Sequence, residues 1–247
     1  MTLSLTLLLA MAANQPVPQT LRACGDIGEF PPYTYRIGGE VTGYNVDMLR
    51  ALLAGSRRSV TFSLLPWKRC LAMSAAGQFD IVLDAAGTPD RRRDYLLVRS
   101  HYAISPIYLY STAQAAPELQ SQQDLLRYRR CEILGWDYSG TGIPNADDQV
   151  TRPATIDAAL SMLRNARCEL MVYDRELVLG LQQLHGQAWL DGLGYKVIPW
   201  LSPYALHFGV SRRLPYAQAL TALLDEGVAT LQKKGESTRM LERYLSK

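Results

Sequence analysis

Charge of one sign is what this sequence has little of. Among 247 residues, 26 Lys and Arg stand against 23 Asp and Glu, a net charge of +3. That balance is too even to supply the basic stripe a nucleic-acid groove needs, so no nucleic acid is expected as a partner. With 3 His, 4 Cys and no Cys-x-x-Cys, the closely spaced ligand pairs of a metal site are missing, and neither metal nor cofactor is expected. No Gly-x-Ser-x-Gly elbow, Walker loop, His-Glu-x-x-His or dinucleotide Gly-x-Gly-x-x-Gly can be read, which leaves an enzyme only acid or base chemistry. Internal repeats and low-complexity segments are also absent. At 48% hydrophobic and 20% charged residues the chain is near the globular average, which excludes disorder, collagen and coiled coil.

One apolar run stands out, Thr2 to Ala13, and it is shorter than the roughly 20 residues that cross a bilayer. Small residues at Ala10, Ala12 and Ala13, followed by polar Asn14 and Gln15, fit a cleaved signal peptide over residues 1–13. The expectation is an exported, soluble, periplasmic protein. Four cysteines, Cys24, Cys70, Cys131 and Cys168, are an even number and in such a compartment read as disulfides. Their order suggests Cys24 with Cys70 and Cys131 with Cys168. Four cysteines permit three connectivities, and four buried thiols are the alternative.

Short apolar runs alternate with helical spacing, the sign of β-α-β units. Leu21–Cys24, Val60–Leu65 and Phe79–Leu83 read as strands, with helices over Asn45–Ala54 and from Pro66, where a missing N–H costs least, to Gly77. The polar, small-residue run from Ser111 to Pro117 looks like a crossover. Beyond it, Ile133–Leu134, Leu170–Tyr173, Tyr195–Ile198 and Leu206–Val210 read as strands, and Thr155–Asn165 and Asp174–Leu184 as helices. The tail Leu214–Leu245 reads as helical with a break near Gly235.

Strand ends in open α/β sheets are where ligands collect. Thr88-Pro89-Asp90-Arg91-Arg92-Arg93 follows the strand ending at Leu83, and an Arg fixed there could hold a carboxylate through two parallel N–H bonds. The alternative is a solvated arginine run. Asp174 ends the strand Leu170–Tyr173, where a carboxylate could hold an ammonium; the alternative is an ordinary helix N-cap. Positive charge at one strand end and negative charge at another is the pattern a zwitterion needs. Phe30, Tyr33, Trp67 and Trp136 fall in loops or at element starts, where aromatics can wall a cleft or simply pack at edges.

Taken together, Phe30-Pro31-Pro32-Tyr33, Gly43-Tyr44-Asn45-Val46-Asp47, Pro66-Trp67-Lys68-Arg69, Gly77-Gln78-Phe79-Asp80, Thr88-Pro89-Asp90-Arg91 and Leu170-Met171-Val172-Tyr173-Asp174 resemble the family 3 extracellular solute-binding proteins of polar amino acid ABC importers. The resemblance runs from Leu21 to Leu245. It implies an α/β, type II periplasmic-binding-protein-like fold: two lobes joined by two crossover strands and closing on a ligand by a hinge. Lobe 1 would hold residues 14–111 and 206–247, and lobe 2 residues 112–205. It further implies that Arg91 binds an α-carboxylate and Asp174 an α-ammonium, that Phe30 and Trp67 sandwich the ligand, and that Trp136 and Asp137 contact it from the second lobe. Where the family usually has small hydroxyl residues before its Thr-x-x-Arg motif, this chain has Asp84, Ala85 and Ala86. An acidic Asp84 beside Arg91 could neutralise it or favour a cationic ligand group, and Ala86 alters the same edge of the site.

The function so implied is capture of a small polar ligand, an amino acid or a related compound, by a non-catalytic monomer that serves an ABC permease. The other reading is a lyase, since some proteins of this fold resemble cyclohexadienyl or arogenate dehydratases, with an acidic residue at the Asp174 position acting as general acid. Those enzymes carry the longer Glu there.

Overall fold

The computed structural model describes residues 15–28, 30–136, 138 and 149–245. The expected signal peptide and Asp137 lie outside the described residues. The chain divides into two compact units, one of Met1–Glu29, Tyr33–Tyr102 and Ala205–Lys247, the other of Phe30–Pro32 and Ala103–Tyr204.

In the first unit the sheet runs Ser59–Leu65, Thr20–Asp26, Ile81–Ala86, Tyr204–Ser211, Tyr95–Leu97. Its first three strands are parallel, and Tyr204–Ser211 enters antiparallel to Ile81–Ala86. Parallel strands require crossovers. Helix Tyr44–Leu53 precedes strand Ser59–Leu65, and helix Trp67–Ala75 connects that strand to Ile81–Ala86. The first helix buries Val46, Met48, Leu49, Leu52 and Leu53, a stripe at helical spacing that leaves Arg50 outside. Pro66 caps the second helix, and Gly77 follows its end at φ 80, a conformation glycine adopts without strain. Helices Ala217–Lys233 and Glu236–Leu245 meet at Gly235, φ 67.

The second unit repeats the plan with a smaller sheet, ordered Val150–Thr151, Arg130–Cys131, Leu170–Asp174, Pro106–Ser111, Leu193–Val197. Every residue of Leu170–Asp174 is buried, as expected of a strand flanked on both sides. Burying each large apolar side chain there contributes about 1.5–3 kcal/mol. Helix Ile156–Arg164 starts at Thr155, whose hydroxyl accepts from the Ala158 N–H at 3.3 Å. Disulfide Cys24–Cys70 lies in the first unit and Cys131–Cys168 in the second, closing separations of 46 and 37 residues. By constraining the unfolded chain, each typically contributes about 2–4 kcal/mol to its own unit.

Three sequence expectations are corrected. Pro106–Ser111 pairs with Leu170–Asp174 and Leu193–Val197 in the second sheet, not with residues 14–111 of the first lobe, because the chain crosses at 102–103. Phe30 groups with the second unit. Gly180 is the reason: a Cβ there would lie 2.5 Å from the Pro31 carbonyl carbon and oxygen, so only glycine lets the helix Arg175–His185 approach the Phe30–Pro32 segment. Finally, the ladder lies at Arg130–Cys131 and not at Ile133–Leu134. Extended pairing continues from Glu132 N–H to the Thr151 carbonyl and from Leu134 N–H to that of Pro153, and Pro153 has no N–H to return.

Candidate functional site

Each unit carries its own constellation at a strand end. In the first, strand Ile81–Ala86 leads to Thr88, whose hydroxyl caps the short helix Pro89–Asp94 by accepting from Arg91 N–H at 3.4 Å. The cap fixes the start of the turn that carries Arg91. Its guanidinium lies 5.9 Å from the ring centre of Trp67, within reach of cation–π attraction. Among the described residues Arg91 is in no ion pair, whereas Arg93 pairs with Asp90. Trp67 packs at the margin of the cluster of Cys24, Cys70, Val82, Ala85 and Tyr95.

Asp84 lies within the same strand at φ 59, a left-handed backbone that a side chain other than glycine rarely adopts. The pairing explains it. His207 faces Ala85 and Gly209 faces Val82, so Leu83 and Asp84 together oppose Phe208, and such a bulge re-aims a side chain. The carboxylate thereby accepts from Thr34 Oγ1 at 3.1 Å, from Asn45 Nδ2 and from the Tyr102 hydroxyl. Asn45 also takes the His101 Nε2–H on its Oδ1 at 2.8 Å. Burial raises the Asp84 pKa to about 6 against the pull of these donors. No ion pair joins Asp84 to Arg91 among the described residues; its partners are neutral groups of its own unit.

Tyr33, one of the four aromatics read as possible cleft walls, is core. It is fully buried and stacks on Tyr102 at 4.0 Å between ring centres. Ala86 closes the strand opposite Leu206.

In the second unit Asp174 ends strand Leu170–Asp174 at the N-cap of helix Arg175–His185, yet its side chain makes no capping bond. The ordinary N-cap alternative is thus not what its carboxylate does. It is buried, and both its oxygens take the Tyr204 hydroxyl, at 3.2 and 3.3 Å. Burial pushes its pKa up to about 8, Tyr204 pulls it down, and nearby Glu176 adds to the rise. Immediately beside it, Tyr173 stacks on Trp136 with ring centres 5.6 Å apart and planes 9° from parallel, and Phe30 meets Trp136 edge-on at 5.8 Å. Phe30, Trp136 and Tyr173 therefore form one aromatic group within this unit, next in sequence to Asp174. Trp67 belongs to the other unit.

Sequence reasoning missed Tyr204, Tyr102, Thr34 and Asn45. Tyr204 lies 30 residues from Asp174, and no local spacing marks it. No group of three or more metal-ligating side chains occurs among the described residues, and no described helix is long and apolar enough to cross a membrane.

Residues 23–247 match the model of bacterial extracellular solute-binding proteins, family 3. The chain belongs to that family. This family 3 protein is 20% identical over 244 residues to a probable histidine-binding protein of Neisseria gonorrhoeae, covering 96% of this chain and 87% of the relative. Among solved structures it resembles an arginine-, lysine-, histidine-binding protein of Geobacillus stearothermophilus, with 14% identity, TM-score 0.78 and coverage of 92% and 96% of the two chains. It also resembles an ancestral amino acid-binding protein described as a precursor of cyclohexadienyl dehydratase, with 18% identity, TM-score 0.74 and coverage of 98% and 99%. The fold is that of the type II periplasmic binding proteins, two α/β lobes.

Proposed function

We propose that this family 3 protein captures an amino acid or amino-acid-like compound in the periplasm and delivers it, as a monomer and by lobe closure, to an ABC permease. Charge carries the reading: among the described residues, an arginine in no ion pair stands just beyond a strand end of one unit, and a buried carboxylate at a strand end of the other accepts from a single neutral hydroxyl. Arg91 would take the ligand's carboxylate bidentately. Asp174 would take its ammonium, and the arriving charge would ionise an acid that burial keeps protonated. Trp67 in one unit, and Phe30 and Trp136 in the other, would supply apolar walls. Ala86, the last residue of its strand, and Asp137 would also contact the ligand. A carboxylate has about four acceptor sites, so Asp84 retains room for a cationic ligand group beside its three donors. The arginine, lysine and histidine bound by similar proteins are the first compounds to try.

A thermal-shift screen against amino acids, polyamines, prephenate and arogenate tests this. A ligand at 100 times its Kd adds roughly 2.7 kcal/mol, and each kcal/mol moves the midpoint of a chain this size by roughly 2–4 °C. The expected result is a shift of roughly 5–11 °C with one amino acid, erased in Arg91→Ala. An undiminished shift in the variant would sink the carboxylate role.

One observation favours a second reading. An acid protonated at neutral pH, as burial makes Asp174, is what a general acid must be, and a dehydratase acting on prephenate or arogenate would use it so. Release of phenylpyruvate or phenylalanine on incubation would decide for the lyase.

A further inference from the structure

The two carboxylates at the start of helix Arg175–His185 are each tied to one place where the chain passes between units. Glu176 accepts from Ser105 twice, from N–H at 2.7 Å and from Oγ at 2.8 Å, and Ser105 follows the crossing at 102–103. Asp174 accepts from Tyr204, the last residue before the crossing at 204–205. Tyr204 also opens the strand Tyr204–Ser211, whose later residues pair in the first unit's sheet. The hydroxyl is nearly equidistant from both Asp174 oxygens, so it occupies the space between them and leaves the outer lone pairs open. No other hydrogen bond to the Asp174 carboxylate exists among the described residues.

We propose that Tyr204 is a positioning residue of the ligand site: its hydroxyl holds the Asp174 carboxylate in orientation and ties it to the second chain crossing. This rests on the reading of Asp174 as the ammonium-binding group. Two groups act on Asp174, and a third feels its charge. Tyr204 donates from its strand, Glu176 repels from the same helix, and the Tyr138 phenol, just after strand Arg130–Cys131, feels Asp174 and Glu132 as like charges and Arg152 as an opposite one. Facing Asp174 across the sheet is Pro106, which carries no charge. Tyr204 is the one member whose loss removes a donor to the ionised form while leaving every charge in place. A tyrosine that merely packed would leave the acid's titration unmoved when its oxygen is deleted.

The test is a carbon-13 titration of aspartate carboxyl groups in the ligand-free protein and in Tyr204→Phe. A hydrogen bond to a charged group is strong enough that its loss should raise the Asp174 midpoint by about one unit, with the Asp84 midpoint unchanged as an internal control. With L-arginine as probe at pH 7, Kd should rise about tenfold, because the ionised fraction falls by that factor below the midpoint. An Asp174 midpoint that stays put in Tyr204→Phe overturns the proposal. Failure of L-arginine to bind the unmodified protein counts against the ligand reading alone, since the titration needs no ligand.

Discussion

Asp84, inside strand Ile81–Ala86, and Asp174, at the end of Leu170–Asp174, are the same side chain in two units, and their surroundings pull them apart. Burial raises both above the usual carboxylate range, to about 6 for Asp84 and about 8 for Asp174. The difference follows the donors. Asp84 has a threonine, an asparagine and a tyrosine; Asp174 has one shared hydroxyl. Neutral donors stabilise the charged form, and each one missing leaves the desolvation penalty less offset. With three donors, Asp84 is the better satisfied of the two and has less room for a ligand group. Asp174, with a single donor, has more room for a cation, which is why we propose ammonium recognition there and not at the acidic residue nearer Arg91 in sequence.

Replacing each acid by its amide sharpens that contrast. For both, the folded pKa exceeds the ordinary 3.8, so the stability they contribute is full below about pH 4 and is lost as pH rises through the folded value. Asp174→Asn should therefore remove the larger pH dependence, roughly 5 kcal/mol between pH 4 and 8. Urea unfolding across that range should show the variant increasingly more stable than the parent, at the expense of ligand binding. Parallel curves would mean that Asp174 is not desolvated. Asp84→Asn should remove about 3 kcal/mol, confined to the window between pH 4 and 6. Continued divergence from the parent above pH 7 would break the distinction between the two acids.

The parts of this contrast differed in how legible they were. Asp174 could be found because a buried apolar run, Leu170–Tyr173, turns directly into a helix, and the last polar residue of such a run is at the strand's end. Helix limits at Pro66, Gly77 and Gly235 were readable for the same local reason. The surroundings of Asp84 were not, because its donors lie 50, 39 and 18 residues away and the bulge that aims it depends on register with Phe208. The first crossing was misplaced because composition changes at Ser111, whereas the sheet a strand joins is set by its partner, here Leu170–Asp174. Phe30 was assigned to the wrong unit because nothing near it in sequence announces the close approach of Gly180.

The smallest effect tests the contrast most directly, by making one acid resemble the other. Tyr102→Phe deletes one of three donors to Asp84 while retaining the ring that stacks on Tyr33 at 4.0 Å. The hydroxyl lies too far from Asn45 Nδ2, at 3.5 Å, for its loss to cost that amide much, since Asn45 keeps Thr34 and His101. Packing is therefore preserved, and about 1 kcal/mol of stability is the expected loss at neutral pH. The informative quantity is the Asp84 midpoint, which should climb from about 6 by about one unit toward the Asp174 value. A midpoint that does not move would show that Thr34 and Asn45 suffice, and that the two acids differ by depth of burial and not by the number of their donors.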